Sequence, residues 1–321
     1  MNPVSLTAAL APAALLMWFF HSRDVHPEPA GVVWMTFFLG VAAVLPISLV
    51  AGFLSSAVSR ISAGNIYFSG ALTAFVVAAV PEEFFKYKIL TRYAMQHPEF
   101  DEPMDGIVYG VAASLGFATF ENIQYVAEGG MGIALARALT AVPGHAMMGA
   151  VMGYFAGQAL CRPERASRMK RMALWCPVML HGLYDTPLMI FDHAVKSGIR
   201  LAGSAQLITI LSVVAVLTTE MIWAMRLVMR LRSRQLSIPK VPMDKQWYWT
   251  WTRIIFGGVL AAGAGMAILF IITALPDKLS GIGIAPVNTK LALLTVVLLG
   301  IGGLMLFRSG LKAKAALERD T

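Results

Sequence analysis

Two adjacent carboxylates, Glu82 and Glu83, follow Pro81 in an otherwise apolar stretch of this sequence. A charged side chain inside a bilayer costs roughly 2.5–3.5 kcal/mol on insertion scales, so a pair of them in one apolar stretch indicates a function. Carboxylates in a site from which bulk water is excluded are suited to general acid–base activation of one water molecule. The pair therefore favours a hydrolytic reaction.

Further ionisable side chains lie in the apolar stretches that follow. Residues four apart are neighbours on a helix, so Glu82 shares a face with Lys86, and His181 shares one with Asp185. We expect these faces to point into one wet cavity, where the imidazoles could protonate a leaving amine or stabilise an oxyanion. The predicted catalytic residues are Glu82, Glu83, Glu121, His145, His181 and Asp185, with Lys86 in a supporting role.

The same side chains could instead hold a metal ion. Two histidines and a carboxylate form a suitable set of zinc ligands, and a remaining glutamate could then serve as the base. The favoured mechanism requires no cofactor. Ligands from separate helices have no fixed spacing, so zinc stays an alternative, with ligands drawn from Glu82, Glu83, Glu121, His145 and His181.

Other protease designs lack their sequence signatures. The chain has no H-E-x-x-H helix of a zinc protease and no G-x-S-x-G elbow of a serine hydrolase. Tyr184-Asp185 resembles half of an aspartyl protease site, but no second glycine-flanked aspartate follows in a later span. The remaining rival is a proton-coupled transporter or channel, which often has paired halves with matching broken helices; no such repeat is found here.

The composition indicates that these residues belong to a membrane protein. The 321-residue chain is 57% hydrophobic and 14% charged, with a mean hydropathy of +0.67, which is typical of a polytopic membrane protein. The net charge of +8 does not indicate nucleic-acid binding, because the basic residues lie in loops between apolar spans.

The predicted fold is an all-α membrane bundle of about nine transmembrane helices with a four-helix catalytic core. The predicted spans are about 4–20, 31–53, 66–90, 106–127, 134–160, 172–191, 204–226, 252–275 and 290–308. The distribution of Lys and Arg places the N-terminus outside and the C-terminus in the cytoplasm. The domain prediction is N-terminal helices over 1–65, a catalytic core over 66–191 and C-terminal helices with a tail over 192–321.

Local sequence features predict how the core helices pack. Small residues in the fourth and fifth spans should allow close helix contact, and Pro81 should kink or locally break the third helix just before the carboxylates. The small residues are Gly106, Gly110, Ala113 and Gly116, followed by Gly144, Gly149, Gly153 and Gly157.

Several charged or aromatic features have ordinary explanations. The acidic loop from Gln96 to Asp105 is predicted to be a solvated connection. Glu220 lies near Arg226, and we expect its side chain to snorkel to the membrane boundary. The stretch from Trp247 to Trp251 fits an aromatic belt at a membrane interface.

Four short motifs resemble those of the PrsW family of intramembrane proteases. The stretch from Glu82 to Lys86 resembles the family's E-E-x-x-K motif, and the stretch from Phe117 to Glu121 resembles its F-x-x-x-E motif. His145 is similar to the histidine of the third motif, and the stretch from His181 to Asp185 is similar to the fourth. The resemblance covers residues 66–191, with the motifs in the family's order.

This resemblance implies a multi-pass protease of the bacterial inner membrane. The implied substrate is a single-span membrane protein such as an anti-sigma factor, whose first cut leads to release of a stress-response sigma factor. The family is related to the type II CAAX prenyl proteases, but Glu121 stands where those enzymes carry histidine and Asp185 where they often carry asparagine. These departures argue against processing of prenylated proteins.

Overall fold

The computed structural model describes residues 3–62 and 64–235, together with Arg308 and Leu311. Every regular element in this part of the chain is helical, as predicted. The α-helices are α1 (Pro3–His21), α2 (Ala30–Ile61), α3 (Ile66–Leu72), α4 (Val80–Arg92), α5 (Pro103–Leu139), α6 (Ala141–Cys161), α7 (Ala166–Lys196) and α8 (Gly203–Gln235). A π-helical segment, Thr73–Ala79, joins α3 to α4, and 3-10 turns occupy Ala94–Gln96 and Pro163–Arg165.

Four stretches of the described chain are long and apolar enough to cross a membrane. They are Val4–His21, Ala30–Ile61, Ile66–Gln96 and Gly203–Gln235. Helices α5, α6 and α7 overlap the predicted fourth, fifth and sixth spans. The count of nine stays a prediction, because the spans predicted at 252–275 and 290–308 and the aromatic belt at 247–251 lie outside the described residues.

One face of α2 is apolar and exposed. Its large side chains are 49–78% exposed, although they are of the kind that soluble proteins bury. A broad apolar surface on a long helix suits contact with lipid. The side chains are those of Trp34, Phe38, Leu45, Leu49 and Phe53.

The predicted close packing of small residues holds between α5 and α6. A Cβ atom added to Gly110 would lie 3.1 Å from Cα of Gly153, and one added to Gly106 would lie 3.0 Å from the backbone nitrogen of Gly157. Gly116 also packs closely as predicted, in its case against the backbone of Phe37 in α2. Backbone contacts of this kind fix the relative depth of the two helices that carry Glu121 and His145.

Pro81 does not break the third span. The chain stays helical from Ile66 through the π-helical segment to Arg92, and the backbone N–H of Val80 bonds to the carbonyl of Phe75, five residues earlier. Pro81 lies at the start of α4, where a missing backbone donor is tolerated. The wider turn lets the helix continue past the proline and into the carboxylate pair.

Helix α5 contains a turn at Gly130. This residue has φ 67 and ψ −158, a backbone conformation open to glycine, so the chain beyond it changes direction before Leu139. The predicted fifth span begins at residue 134, whereas α6 begins at Ala141. Arg137 therefore lies on the return segment of α5, and this placement matters for the site.

The acidic loop before α5 is only partly solvated. Glu99 and Asp101 are exposed as predicted, but Asp105 is fully buried, so that part of the prediction is wrong. Asp105 accepts hydrogen bonds from the backbone N–H groups of Asp101 and Glu102, which begin the helix with a capping box.

The chain divides into two compact units. The first contains residues 1–193 and 211–235 and carries all the predicted site residues. The second contains residues 194–210 and 236–321; of it, the structure describes the end of α7, a turn at Gly198 with φ 68, and the start of α8.

Candidate functional site

Lys86 is the centre of a buried polar network. Its ammonium group is fully buried and donates to Oε1 of Glu83 at 2.8 Å and to Oε2 of Glu82 at 3.2 Å. It also lies 3.1 Å from Nδ1 of His145 on α6 and 4.2 Å from the ring centre of Phe117 on α5. The helical spacing that the sequence showed thus produces two buried ion pairs.

The contacts of His145 define its tautomer. An ammonium group can only donate, so Nδ1 of His145 accepts from Lys86 and the ring proton of the neutral imidazole lies on Nε2. Nε2 lies 3.2 Å from Oε2 of Glu121, which accepts that proton in a hydrogen bond. His145 therefore connects the Glu82–Glu83 pair to Glu121.

His181 lies between carboxylates on two helices. Its Nδ1 is 2.9 Å from Oε1 of Glu83, and its Nε2 is 3.2 Å from Oδ2 of Asp185 and 3.8 Å from Oε2 of Glu82. The ring centres of His181 and His145 are 5.3 Å apart, at nearly a right angle. The predicted pairing of His181 with Asp185 is thus present, and it adjoins the glutamate pair.

Glu121 has a basic partner that the sequence analysis did not assign to it. Nη2 of Arg137 donates to Oε2 of Glu121 at 2.6 Å, and Nε of Arg137 donates to Oδ1 of Asn122 at 3.0 Å. Asn122 in turn donates to the carbonyl of Ala9 in α1. Because Gly130 turns the chain, an arginine from the end of α5 reaches a carboxylate on the same helix.

The structure places the predicted site residues on four helices and brings them into one network. Glu82, Glu83 and Lys86 come from α4, Glu121 from α5, His145 from α6, and His181 with Asp185 from α7. Glu83, Lys86, His145 and His181 are almost fully buried, while the carboxylates of Glu82, Asp185 and Glu121 keep 10–21% of their side-chain surface. Their catalytic roles stay predictions.

Glu220 also belongs to this region, contrary to the expectation that it snorkels. It is fully buried on α8, and neither carboxylate oxygen has a hydrogen-bond partner within the described part of the chain. A Cβ atom on Gly144, next to His145, would lie 3.6 Å from Oε2 of Glu220.

Four of these side chains could hold a metal ion. Glu82, Glu83, His145 and His181 each offer one ligand atom, all within 4.8 Å of one another, and zinc takes such nitrogen and oxygen ligands. Oε2 of Glu83 is buried without a hydrogen-bond partner in the described chain, so it has a lone pair to offer. Lys86 opposes this use, because it already donates to both glutamates and to Nδ1 of His145. The donor set fits zinc once the ammonium group moves aside.

The fold and the site define a class of protein: a multi-pass helical membrane protein with a buried network of carboxylates, imidazoles and one lysine. The sequence profile described as PrsW family intramembrane metalloprotease matches residues 28–219. The chain belongs to the PrsW family and is an intramembrane protease.

Relatives named Protease PrsW are 30–39% identical to the chain over the aligned residues. The relative from Geobacillus kaustophilus is 39% identical over 189 residues, which are 57% of this chain and 79% of that protein. The relative from Bacillus subtilis is 38% identical over 183 residues, or 56% and 80%. The relative from Clostridioides difficile is 30% identical over 188 residues, or 57% and 78%. No solved structure matches the chain.

Proposed function

We propose that this protease hydrolyses a peptide bond of a membrane-anchored protein with a water molecule activated by Glu82. The observation that carries this choice is the difference between the two neighbouring glutamates. Glu83 is completely buried and held by Lys86 and His181, whereas the carboxylate of Glu82 keeps 10% of its surface. A general base must reach both water and substrate, so the partly accessible carboxylate is the better candidate.

The neighbouring residues would divide the remaining work. His181 would give a proton to the leaving amine and take in its place the proton that Glu82 removed from water, since its Nε2 lies 3.8 Å from Oε2 of Glu82. Glu83 positions both Lys86 and His181. Arg137 holds Glu121, and Glu121 in turn keeps His145 in one orientation. Arg137 and Glu121 are therefore positioning residues.

We propose a single-span membrane protein, such as an anti-sigma factor, as the substrate. The family resemblance suggests this substrate, and cleavage there would be the first cut in a regulated pathway. The chemistry is compatible with it, since the carboxylates and imidazoles lie among helices with apolar outer faces. The proposed location is the bacterial inner membrane, with the N-terminus outside and the C-terminus in the cytoplasm.

A zinc-dependent mechanism is the second candidate, and the ligand geometry favours it. Glu83, His145 and His181 would hold the ion, with Glu82 as the fourth ligand or as the base. Zinc, when bound, supplies a Lewis acid that polarises the scissile carbonyl. Lys86 would then withdraw from the ligand atoms and orient the carboxylates from outside.

The test uses the full-length protein, purified in detergent, and a transmembrane peptide substrate. Glu82→Gln should abolish turnover, by at least the 10²–10⁴-fold typical of a lost acid–base group, without changing the elution volume of the folded protein. The matched control is Glu128→Gln, an exposed glutamate on α5, which should cleave at the parent rate. Parent-like cleavage by the Glu82 variant would exclude Glu82 as base.

Metal analysis separates the two mechanisms. One zinc per chain, with activity lost in chelator and restored by zinc, would establish the metal-dependent version. Activity that persists in chelator, in protein with no bound transition metal, would establish the glutamate-only version.

A further inference from the structure

A second acidic cluster, which shares no residue with the predicted catalytic site, lies where the α1–α2 turn meets the start of α5. Asp24 and Glu28 come from the turn, and Glu102 and Asp105 come from the capping box of α5. Gln235, at the end of α8, reaches the same cluster. Three parts of the chain that are distant in sequence therefore meet around carboxylates.

The carboxylates are buried and incompletely satisfied. Asp24 is 6% exposed and Asp105 is fully buried. Oδ2 of Asp24 and Oδ1 of Asp105 have no hydrogen-bond partner within the described part of the chain. A buried carboxylate oxygen without a hydrogen-bond partner is energetically unfavourable, so two of them in one cluster call for a positive partner.

The donors that are present use the other oxygens. Nε2 of Gln235 donates to Oδ1 of Asp24 at 2.7 Å and to Oε1 of Glu102 at 2.5 Å. The backbone N–H groups of Asp101 and Glu102 donate to Oδ2 of Asp105 at 2.8 and 2.7 Å. Tyr109 donates to Oε2 of Glu28. Each aspartate is thus fixed through one oxygen and keeps the other available.

These three carboxylates are close enough to share one ion. Asp24, Glu102 and Asp105 each offer an oxygen, and these atoms lie within 4.8 Å of one another. Oxygens bound to calcium at about 2.3–2.6 Å can be up to about 5 Å apart on opposite sides of the ion, and magnesium also takes carboxylate oxygens at shorter distance.

We propose that Asp24, Glu102 and Asp105 bind a hard divalent cation, calcium or magnesium, which joins the α1–α2 turn to the start of α5. Glu28 is close enough to contribute, since it contacts Asp105. The cation neutralises the buried carboxylates and secures the end of α8 through Gln235. This site is separate from the residues proposed for catalysis.

The test is equilibrium dialysis of the full-length protein in detergent against radioactive calcium, after treatment with a chelating resin. We expect one saturable calcium per chain, displaced by unlabelled magnesium. Asp24→Asn and Asp105→Asn should weaken binding at least tenfold, and asparagine at 105 keeps an oxygen that can cap α5. If Asp105→Asn fails to fold, Asp24→Asn alone decides the outcome.

Two controls have defined results. Asp101→Asn removes the same charge from an exposed residue of the same loop, and Glu82→Gln changes the catalytic site; both should bind calcium like the parent. The proposal is overturned if the parent shows no saturable binding of calcium or magnesium. Equal loss of binding in Asp24→Asn and Asp101→Asn would also overturn it, because general surface charge would then explain the result.

Discussion

Nζ of Lys86 lies 3.1 Å from Nδ1 of His145, so a residue of α4 fixes the tautomer of a histidine on α6. The same ammonium group forms ion pairs with two adjacent glutamates. One lysine thus controls both the charge of the carboxylate pair and the direction in which His145 donates. The E-E-x-x-K motif is therefore a structural unit as well as a candidate source of the base.

Replacement of Lys86 by methionine should strongly destabilise the protein. Removing one partner of a buried ion pair leaves an uncompensated charge and costs about 3–5 kcal/mol. Lys88→Met is the matched control, since Lys88 is only partly buried and lies 5.0 Å from the ring centre of Phe84; its change should stay within about 0.5 kcal/mol. Thermal unfolding in detergent measures both, and equal effects would contradict the central role of Lys86.

Arg137 should be needed for the orientation of Glu121. Arg137→Gln removes hydrogen bonds to a charged group, which are worth about 1.5–3 kcal/mol, and should lower both stability and cleavage. Arg137→Lys should recover only part of the loss, because a lysine lacks the rigid fork that reaches Glu121 and Asn122 together. Arg171→Gln, at an exposed arginine, is the control. Full recovery by lysine would show that only the charge matters.

The candidate site could be predicted from the sequence because ionisable residues are rare within apolar stretches. Glu82, Glu83, His145 and His181 stand out by position alone, and the motif spacing matches a helical face. The all-helical fold followed from the same hydropathy. The roles of these residues require kinetics, which neither spacing nor proximity supplies.

The partners of Glu121 and Asp105 could not be predicted from local patterns. Arg137 reaches Glu121 because Gly130 adopts a positive φ and turns the chain. The hydrophobic periodicity of the sequence does not indicate this turn. Asp105 is fully buried and contacts Glu28 of the α1–α2 turn, so a loop that is acidic by composition becomes partly internal. Long-range packing decided both cases.

Glu220 should contribute to cleavage more than to stability. Its carboxylate is buried without a hydrogen-bond partner in the described chain, so Glu220→Gln should not reduce the midpoint of thermal unfolding. Its Oε2 lies beside Gly144, the residue before His145, so loss of the carboxyl group should lower turnover about tenfold, which corresponds to about 1.4 kcal/mol.

Two further variants distinguish the effect of the carboxyl group of Glu220 on turnover from the effect of its packing. Glu220→Met keeps the side-chain volume and should lose turnover to a similar extent, whereas Glu164→Gln, at an exposed glutamate, should not. Parent-like cleavage by Glu220→Met would assign Glu220 to packing alone.

The stability of metal-free protein should fall as the pH rises. Burial raises the pKa of Asp105 to about 8, above the value of about 3.9 in an unfolded chain. Between these values the folded state holds a proton that the unfolded state has released, so its contribution to stability is complete below about pH 4 and is lost as the pH approaches 8. Thermal unfolding from pH 5 to 8 in chelator measures the effect. The Asp105→Asn variant lacks this pH-dependent contribution. As the pH rises, its free energy of unfolding should therefore increase relative to that of the parent by up to about 1.4 kcal/mol per pH unit, whereas Asp101→Asn should follow the parent. Parallel curves for the parent and Asp105→Asn would show that Asp105 is ionised in the folded protein over this range.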